Sequence, residues 1–330
     1  MATATQLKAL FKSIEAGDEE RLYSVALQIA AHEARHGHEK FAKELRDLID
    51  SIRQKHTVGK PAPAPIPLAQ PRGELAGVLS VSYPSIRVRD VILTPDIERR
   101  LKRVVHEQRQ HARLASHGLR PRSKLLLVGP PGSGKTMTGK ALAGELKLPL
   151  FSIMLDGLIT KFMGETAAKL RLVFDAIKRN RGVYLFDEFD AIGSQRMNPN
   201  DVGEIRRVLN SFLYFLEEAE PTSVIVAATN HPELLDPALF RRFDDVLEYS
   251  LPGNDLARLA FTTRLGELNV DKVNWKKVVT EAAGLSYAEI LKACEDAAKE
   301  AVLSDGHAIT TQSLVEAIQH RKQAMPRGRT

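Results

Sequence analysis

The sequence contains a single cysteine, Cys294, so no disulfide bond can form within the chain. A lone thiol fits a reducing compartment, and we therefore expect a cytoplasmic protein. No apolar run approaches the roughly 18 residues that a membrane-spanning helix needs. The first twenty residues, MATATQLKALFKSIEAGDEE, also lack the apolar core of a signal peptide. We expect no membrane span.

The sequence also lacks a sustained block of one charge. Its 47 basic and 41 acidic residues give a formal net charge of +6, and the two signs are interspersed. This net charge allows contact with nucleic acid or acidic proteins but does not require it, because the basic residues are scattered. We identify no helix-turn-helix element, so nucleic acid is not an expected partner. The densest basic piece, at residues 320–330, is interpreted as a solvated tail.

The first part of the chain predicts a small helical domain and a linker. Apolar residues recur at helical spacing in three stretches of residues 1–56, which predicts a hairpin or three-helix bundle. A helical unit of this size is marginal when alone. Residues 57–84 begin with five prolines within 17 positions. This composition favours an extended, semi-rigid linker between domains.

The larger part of the chain predicts an α/β domain followed by a helical one. Residues 85–250 alternate short apolar runs with helical segments of ten or more residues, a pattern typical of a doubly wound parallel sheet. The runs are KLLLV (124–128), LPLFSIM (148–154), GVYLFD (182–187) and SVIVAAT (223–229). Residues 251–319 contain only helical patterns and predict a smaller α-helical domain.

A glycine-rich octapeptide, GPPGSGKT, lies between the first of these runs and a helical segment. Glycines let the backbone turn tightly and aim its N–H groups inward, and the start of a helix attracts phosphate. In such a loop the lysine reaches the β- and γ-phosphates of a nucleotide and the last hydroxyl ligates Mg²⁺. The predicted ATP-binding residues are Gly129, Pro130, Pro131, Gly132, Ser133, Gly134, Lys135 and Thr136.

Two carboxylates, Asp187 and Glu188, end the run VYLFD, on a strand that we expect to neighbour the phosphate loop. There Asp187 can hold Mg²⁺ through its waters. Glu188 can orient and deprotonate the water that attacks the γ-phosphate. Standing alone, the pair would be an ordinary polar strand end. The spacing after the phosphate loop favours the catalytic interpretation.

Three further polar residues follow the next strand. Asn230 comes directly after VIVAAT, where its amide can position the same water. Arg241 and Arg242 follow in LLDPALFRRFDD. Adjacent arginines are commonly a surface pair, whereas an arginine presented to a neighbouring subunit's nucleotide stabilises transition-state charge. The second role requires an oligomer.

A rival motif, HEARH at 32–36, matches the H-E-x-x-H pattern of zinc proteases. A catalytic zinc needs a third protein ligand. The extended form of the motif needs glycine and histidine where this chain has Glu39 and Ala42. We interpret His32 and His36 as surface histidines of the helical bundle, with adventitious metal binding as the alternative.

Together the phosphate loop, the paired carboxylates, Asn230 and the two arginines resemble the AAA+ ATPases, and within them the AAA subfamily proper. The resemblance runs from about Ile86 to Gln319. The arginine motif lacks the Pro-Gly insertion of the longer form and is similar to that of katanin, spastin and the ESCRT-disassembling ATPase. The resemblance implies ATP hydrolysis with Mg²⁺ in a homo-oligomeric ring, expected to be a nucleotide-dependent hexamer. It also implies that Asn230 is the first sensor and that the arginines are fingers acting on a neighbour.

The resemblance further implies a protein substrate. Lys161, Phe162 and Gly164 match the family's pore loop of lysine, aromatic, any residue and glycine. An aromatic ring on such a loop grips an extended polypeptide with little sequence preference. A buried Phe162 is the competing interpretation. By the same resemblance, residues 1–56 recruit the substrate or an adaptor.

Two function hypotheses remain open at this point. In the first, a ring unfolds, remodels or translocates a protein through its central pore. In the second, the chain is a nucleotide-switched regulator of a separately encoded partner, such as a protease in a defence or plasmid-maintenance pair. DNA clamp loading and replication initiation are less favoured, because the resemblance is to the protein-remodelling branch.

Overall fold

The computed structural model assigns the chain two compact units, Met1–Pro63 and Ala64–Thr330. The residues that the structure describes are 38, 43, 73–158, 165–190, 202–219, 222–266, 268–303 and 308–324. Apart from residues 38 and 43, the predicted helical domain lies outside this set, and so does the HEARH motif. The proposed pore-loop residues Lys161, Phe162 and Gly164 also lie outside it. All of the contacts discussed below belong to the second unit.

The described residues form one six-stranded sheet. Its strands are β1 (Leu79–Ser82), β2 (Lys124–Val128), β3 (Leu150–Ile153), β4 (Val183–Phe186), β5 (Val224–Thr229) and β6 (Asp245–Glu248). Their order across the sheet is β1-β3-β4-β5-β2-β6. Strand β1 pairs antiparallel with β3, whereas every other neighbouring pair is parallel. The predicted parallel sheet is confirmed, with an antiparallel edge strand that lies in the expected linker.

Helices cover both faces of the sheet. In chain order they are α1 (Pro95–Arg109), α2 (His111–Ala115), α3 (Lys135–Leu146), α4 (Leu155–Leu158), α5 (Glu165–Arg179), α6 (Val202–Glu218) and α7 (Pro237–Phe240). Short 3-10 helices span Gly73–Gly77, Val88–Asp90 and Pro232–Leu234. One apolar cluster packs α5 and α6 against one face, and a second packs α1 and α3 against the other.

The central strands are apolar throughout because both of their faces are covered. In β5 all six residues are buried. Ile225 and Ala227 belong to the cluster under α5 and α6, whereas Val224 and Val226 belong to the cluster under α1 and α3. Successive side chains of a strand point to opposite faces, so one strand supplies both cores. The two cores hold the strand ends in fixed register.

The C-terminal helices have a core of their own. They are α8 (Asn254–Leu265), α9 (Trp275–Glu281), α10 (Tyr287–Leu303) and α11 (Thr311–Ala324), and they enclose a third apolar cluster. Cys294 lies fully buried within it, and burial raises the pKa of its thiol to about 12. Helix α11 continues through the first five residues of the expected tail. Within the described part of the chain, no helix is long and apolar enough to cross a membrane.

Candidate active site

The phosphate loop connects β2 to α3 as the sequence predicts. Gly129, Gly132 and Gly134 all have positive φ angles, of 148°, 73° and 103°, which side-chain-bearing residues rarely adopt. A Cβ on Gly129 would also lie 2.3 Å from the carbonyl oxygen of Tyr249. Glycine is therefore required at the point where the loop passes close to the end of β6. The loop ends where α3 begins, so the backbone N–H groups of its first turn face the same space.

Lys135 is almost fully enclosed at the start of α3, with 6% of its surface exposed. Its Nζ donates hydrogen bonds to the carbonyl oxygens of Gly129 at 2.8 Å and Pro130 at 2.9 Å, and to Asn230 Oδ1 at 2.8 Å. Burial lowers the pKa of Lys135, and the charges of Asp187 and Asp190 oppose that effect. A buried ammonium bound only by neutral oxygens gains strongly from an added anion. We therefore expect the Lys135 ammonium to bind a phosphate group.

Thr136 and Asp187 form the next pair. Thr136 Oγ1 donates to Asp187 Oδ2 at 2.7 Å. We expected the strand of Asp187 to adjoin the phosphate-loop strand, and this prediction is wrong, because β5 lies between β4 and β2. Thr136 belongs to α3, which packs against β4, so its hydroxyl meets the Asp187 carboxylate at the end of that strand. A hydroxyl and a carboxylate are hard oxygen ligands of the kind that Mg²⁺ prefers, so this pair fits a Mg²⁺ site.

Glu188 stands at an exposed, strained turn directly after Asp187. Its φ of 52° lies in the left-handed region, and its backbone N–H donates to Asp187 Oδ1 at 3.1 Å. The next residue, Phe189, is fully buried, and its N–H donates to the carbonyl oxygen of Ala228 at 2.8 Å. Such strain persists only where the surroundings enforce it, and it is common at functional sites. The buried ring and the Asp187 carboxylate together leave the Glu188 carboxylate facing solvent.

Asp190, which the sequence analysis did not single out, joins this turn to the end of β5. Its Oδ1 accepts from Thr229 Oγ1 at 2.9 Å and from the backbone N–H of Asn230 at 3.1 Å. The sequence signal was its place as the last residue of the acidic stretch DEFD. Asn230 is thus held through its backbone, while its side chain meets Lys135. The structure brings the predicted residues of three segments together.

A cavity of about 270 Å³ adjoins the phosphate loop and was also missed. Three separate segments and the loop line it: Asp90, Val91, Ile92, Ser133, Gly134, Met137, Ala260, Thr263, Arg264, Tyr287 and Leu291. Helix α10 begins at this cavity, where the N–H of Ala288 donates to the carbonyl oxygen of Gly132 at 3.2 Å. Burial raises the pKa of the Tyr287 phenol above its ordinary value of 10.0. The walls are mainly apolar, as those of nucleoside pockets are.

The two arginines have different surroundings. Asp236 caps the short helix α7 by accepting from the N–H of Ala238 at 2.8 Å, and the arginines follow where that helix ends. Arg242 forms an ion pair with Glu217 of α6. Arg241 is exposed, and among the residues that the structure describes none hydrogen-bonds or ion-pairs with its side chain. Of the two arginines, Arg241 therefore has the side chain that is available to bind an anion from another molecule.

A glycine-rich loop between a buried strand and a helix, with a Thr–Asp pair across a parallel sheet, defines a P-loop nucleoside triphosphatase. Residues 125–251 match the model of the ATPase family associated with various cellular activities (AAA). The sequence is also 34% identical over 322 residues to an uncharacterised AAA family ATPase, y4kL, of Sinorhizobium fredii. That match covers 97% of this chain and 95% of the relative. The chain belongs to the AAA family and is an ATPase.

Other relatives share only part of their length with this chain. The proteasome-activating nucleotidase of Saccharolobus solfataricus is 36% identical over 209 residues, 61% of this chain and 53% of that protein. The ATP-dependent zinc metalloprotease FtsH 3 of Sphaerobacter thermophilus is 32% identical over 255 residues, 75% of this chain and 52% of that protein. The chain therefore spans about half of each of these relatives. They are similar to it in the ATPase region.

The fold is that of a solved AAA domain. The crystal structure of the FIGL-1 AAA domain superposes with a TM-score of 0.62 at 24% sequence identity. The match covers 78% of this chain and 92% of that one. This likeness agrees with the fold expected from the sequence.

Proposed function

We propose that this ATPase binds ATP with Mg²⁺ at the end of the sheet, forms a ring, expected to be a hexamer, and uses hydrolysis to remodel a protein. The observation that carries the proposal is the convergence of two hydrogen-bonded pairs, Lys135 with Asn230 at 2.8 Å and Thr136 with Asp187 at 2.7 Å, at the start of α3. Groups from α3, β4 and β5 meet there beside the exposed carboxylate of Glu188. Apart from an arginine finger, that is the set of groups that γ-phosphate hydrolysis requires.

In the proposed reaction, the loop's N–H groups and Lys135 bind the β- and γ-phosphates. Lys135 exchanges its neutral oxygen partners for phosphate oxygens. Thr136 and Asp187 would hold Mg²⁺, which neutralises phosphate charge when bound. Glu188 takes a proton from the attacking water while the water oxygen bonds to the γ-phosphorus. The bond between that phosphorus and the bridging oxygen breaks, and ADP leaves with its electron pair. Asn230 positions that water.

The nucleoside would occupy the cavity beside the loop. Ser133 and Gly134 line that cavity and also belong to the loop, so a molecule whose phosphates lie on the loop extends into it. Tyr287 offers an aromatic face to the base or ribose, worth about 1 kcal/mol beyond the area it buries. Because Tyr287 opens α10, this contact would tie the C-terminal helices to the nucleotide.

The catalytic arginine would come from a neighbouring subunit. Arg241 has no partner among the described residues and is exposed, whereas Arg242 is held by Glu217. We assign Arg241 as the principal finger and Arg242 as a support that keeps the end of α7 against α6. An arginine finger contributes about 10³- to 10⁵-fold in rate. The site is complete only when subunits adjoin.

The expected substrate is a protein. Two of the relatives carry names that describe work on or beside proteases, proteasome-activating nucleotidase and ATP-dependent zinc metalloprotease. In this chain Lys161, Phe162 and Gly164 would form the pore loop, and residues 1–56 would recruit the substrate or an adaptor. The buried, single Cys294 suits work in the cytoplasm, where thiols stay reduced.

Subunit mixing tests the shared site. A Glu188→Gln subunit cannot hydrolyse its own ATP but still offers Arg241, and an Arg241→Ala subunit has the reverse defect. Each variant alone should be inactive, and an equimolar mixture should recover part of the wild-type kcat at the mixed interfaces. A mixture no more active than its components would overturn the trans assignment. Mixing either variant with the double variant, which should give no recovery, is the control.

Replacing Phe162 distinguishes remodelling from a nucleotide switch. If Phe162 grips substrate, Phe162→Ala should abolish partner function and substrate-stimulated turnover while basal ATPase activity remains. Full partner function in this variant would favour the regulatory alternative. Tyr214→Ala is a matched control, because Tyr214 is an aromatic residue with 59% of its surface exposed on α6.

A further inference from the structure

Asp190 makes contacts that the proposed reaction does not use directly. One oxygen, Oδ1, accepts both the Thr229 hydroxyl at 2.9 Å and the backbone N–H of Asn230 at 3.1 Å. Thr229 is fully buried at the end of β5. Its Oγ1 in turn accepts from the N–H of His231 at 3.0 Å. The carboxylate therefore joins the turn after β4 to Thr229 and Asn230, and the Thr229 hydroxyl extends the chain of hydrogen bonds to His231.

The bonds of Asp190 fix the direction in which Asn230 leaves the sheet. A charged acceptor gives shorter and stronger hydrogen bonds than a neutral one, so the backbone of Asn230 is held at its N–H. Its side chain then lies 2.8 Å from Lys135 Nζ through Oδ1. The turn itself is anchored to the same strand, since Phe189 N–H donates to the Ala228 carbonyl at 2.8 Å. Three hydrogen bonds therefore connect the turn to the end of β5.

The two aspartates of DEFD thus have different hydrogen-bond partners. Asp187 directs Oδ2 at Thr136 of the phosphate loop and Oδ1 at the N–H of Glu188. Asp190 directs Oδ1 at the end of β5. We propose that Asp190 is a positioning residue that sets the amide of Asn230 against the γ-phosphate and its water, so that turnover depends on a carboxylate that never touches nucleotide. This inference rests on the role proposed above for Asn230.

The inference predicts a defect in turnover and none in binding. Asp190→Ala releases Asn230 from its backbone bond, and a displacement of about 1 Å in a reacting group can cost on the order of 100-fold in rate. The kcat should therefore fall by about 10- to 100-fold. The nucleotide Kd should stay within about twofold of the wild type, because the phosphate loop keeps its own contacts. Asp190→Asn retains an oxygen at the same place and should recover most of the loss.

A double-mutant cycle separates positioning from a merely structural role. If Asp190 acts through Asn230, removing both side chains should lower kcat no further than Asn230→Ala alone. If Asp190 contributes to turnover independently of Asn230, the fold losses of kcat in the two single variants multiply in the double variant. Thr229→Val replaces the hydroxyl with a methyl group and removes one of the two bonds. It provides a second variant if Asp190→Ala does not fold, and it should show a smaller loss with the same lack of additivity.

The experiment measures kcat and nucleotide Kd for the full chain carrying these substitutions, with Asp255→Ala as the control. Asp255 is an exposed acid in the first turn of α8, far in sequence from the site. An unchanged kcat in Asp190→Ala, or losses that multiply in the double variant, would overturn the inference. An unchanged kcat in Asn230→Ala would instead contradict the proposed role of Asn230, and the two failures are therefore distinguishable.

Discussion

Lys135 Nζ lies 2.8 Å from Asn230 Oδ1, although the two residues are 95 positions apart in the chain. The contact joins the start of α3 to the end of β5. It holds the loop's cation against the residue proposed to position water. Without nucleotide, the ammonium has only neutral oxygens as hydrogen-bond partners, and this arrangement has consequences for both binding and stability.

Lys135→Met should abolish ATP binding without lowering stability. Methionine matches the apolar length of lysine, and removing a buried cation removes its desolvation penalty. The pH dependence has a definite sign. Because burial lowers the pKa of Lys135 below its ordinary value of 10.5, the unfolded chain binds more protons there between the two values. In that window the wild type should gain stability relative to the variant as pH rises.

Urea unfolding of the two proteins at several pH values, with ATP binding measured alongside, checks this prediction. A variant that is clearly less stable near neutral pH would show that the ammonium stabilises the fold, contrary to the expectation.

Asp187→Asn should weaken the response to Mg²⁺. The amide still accepts a hydrogen bond from Thr136 but no longer supplies charge to a cation. The Mg²⁺ concentration for half-maximal ATPase activity should rise by about 10- to 100-fold. Nucleotide binding in the presence of a chelator should be unchanged. Equal Mg²⁺ requirements in the variant and the wild type would exclude Asp187 from the metal site.

Tyr287→Ala should raise the KM for ATP. Loss of the aromatic wall removes about 1–2 kcal/mol, which corresponds to roughly 5- to 30-fold. Tyr287→Phe should bind as the wild type does, since the ring and not the phenol makes the contact. A KM that rises as much in Tyr287→Phe as in Tyr287→Ala would indicate that the phenol's hydrogen bond, and not the ring, makes the contact. Steady-state kinetics with both variants decide between these outcomes.

The two arginines should not be equivalent. Arg241→Ala should lower kcat in the assembled protein by about 10³-fold or more, because this side chain is the proposed arginine finger. Among the described residues, none binds it. Arg242→Ala should cost far less, because its ion pair with Glu217 is exposed on both sides, and such pairs contribute little. ATPase assays at matched oligomer concentration test the ranking. A larger loss of kcat in Arg242→Ala than in Arg241→Ala would identify Arg242 as the arginine finger.

The elements that carry the site were predictable because they follow local rules. The four predicted runs became β2 to β5, since both of their faces are covered and they are apolar throughout. The edge strands β1 and β6 were missed. Strand β1 is only partly buried, and β6 carries acidic residues at both ends. Edge strands are covered on fewer sides, so their sequences give a weaker signal.

Residues joined only in three dimensions were harder to predict. Asp190 accepts a hydrogen bond from a residue 40 positions away, and its acidic neighbours gave no reason to separate it from them. The cavity beside the phosphate loop is built from four distant segments, and no motif spans them. The order of strands was also beyond the sequence, because alternation predicts a parallel sheet but does not say that β5 lies between β2 and β4.

The most direct test of the whole account is ATP turnover and ATP binding measured on the same preparation of Glu188→Gln. The substitution keeps the shape of the side chain and removes the proton acceptor. We expect hydrolysis to fall by a factor of about 10² or more while ATP binding persists and oligomers accumulate. Glu218→Gln, an exposed glutamate on α6, should hydrolyse ATP as the wild type does. A wild-type rate in Glu188→Gln would contradict the account.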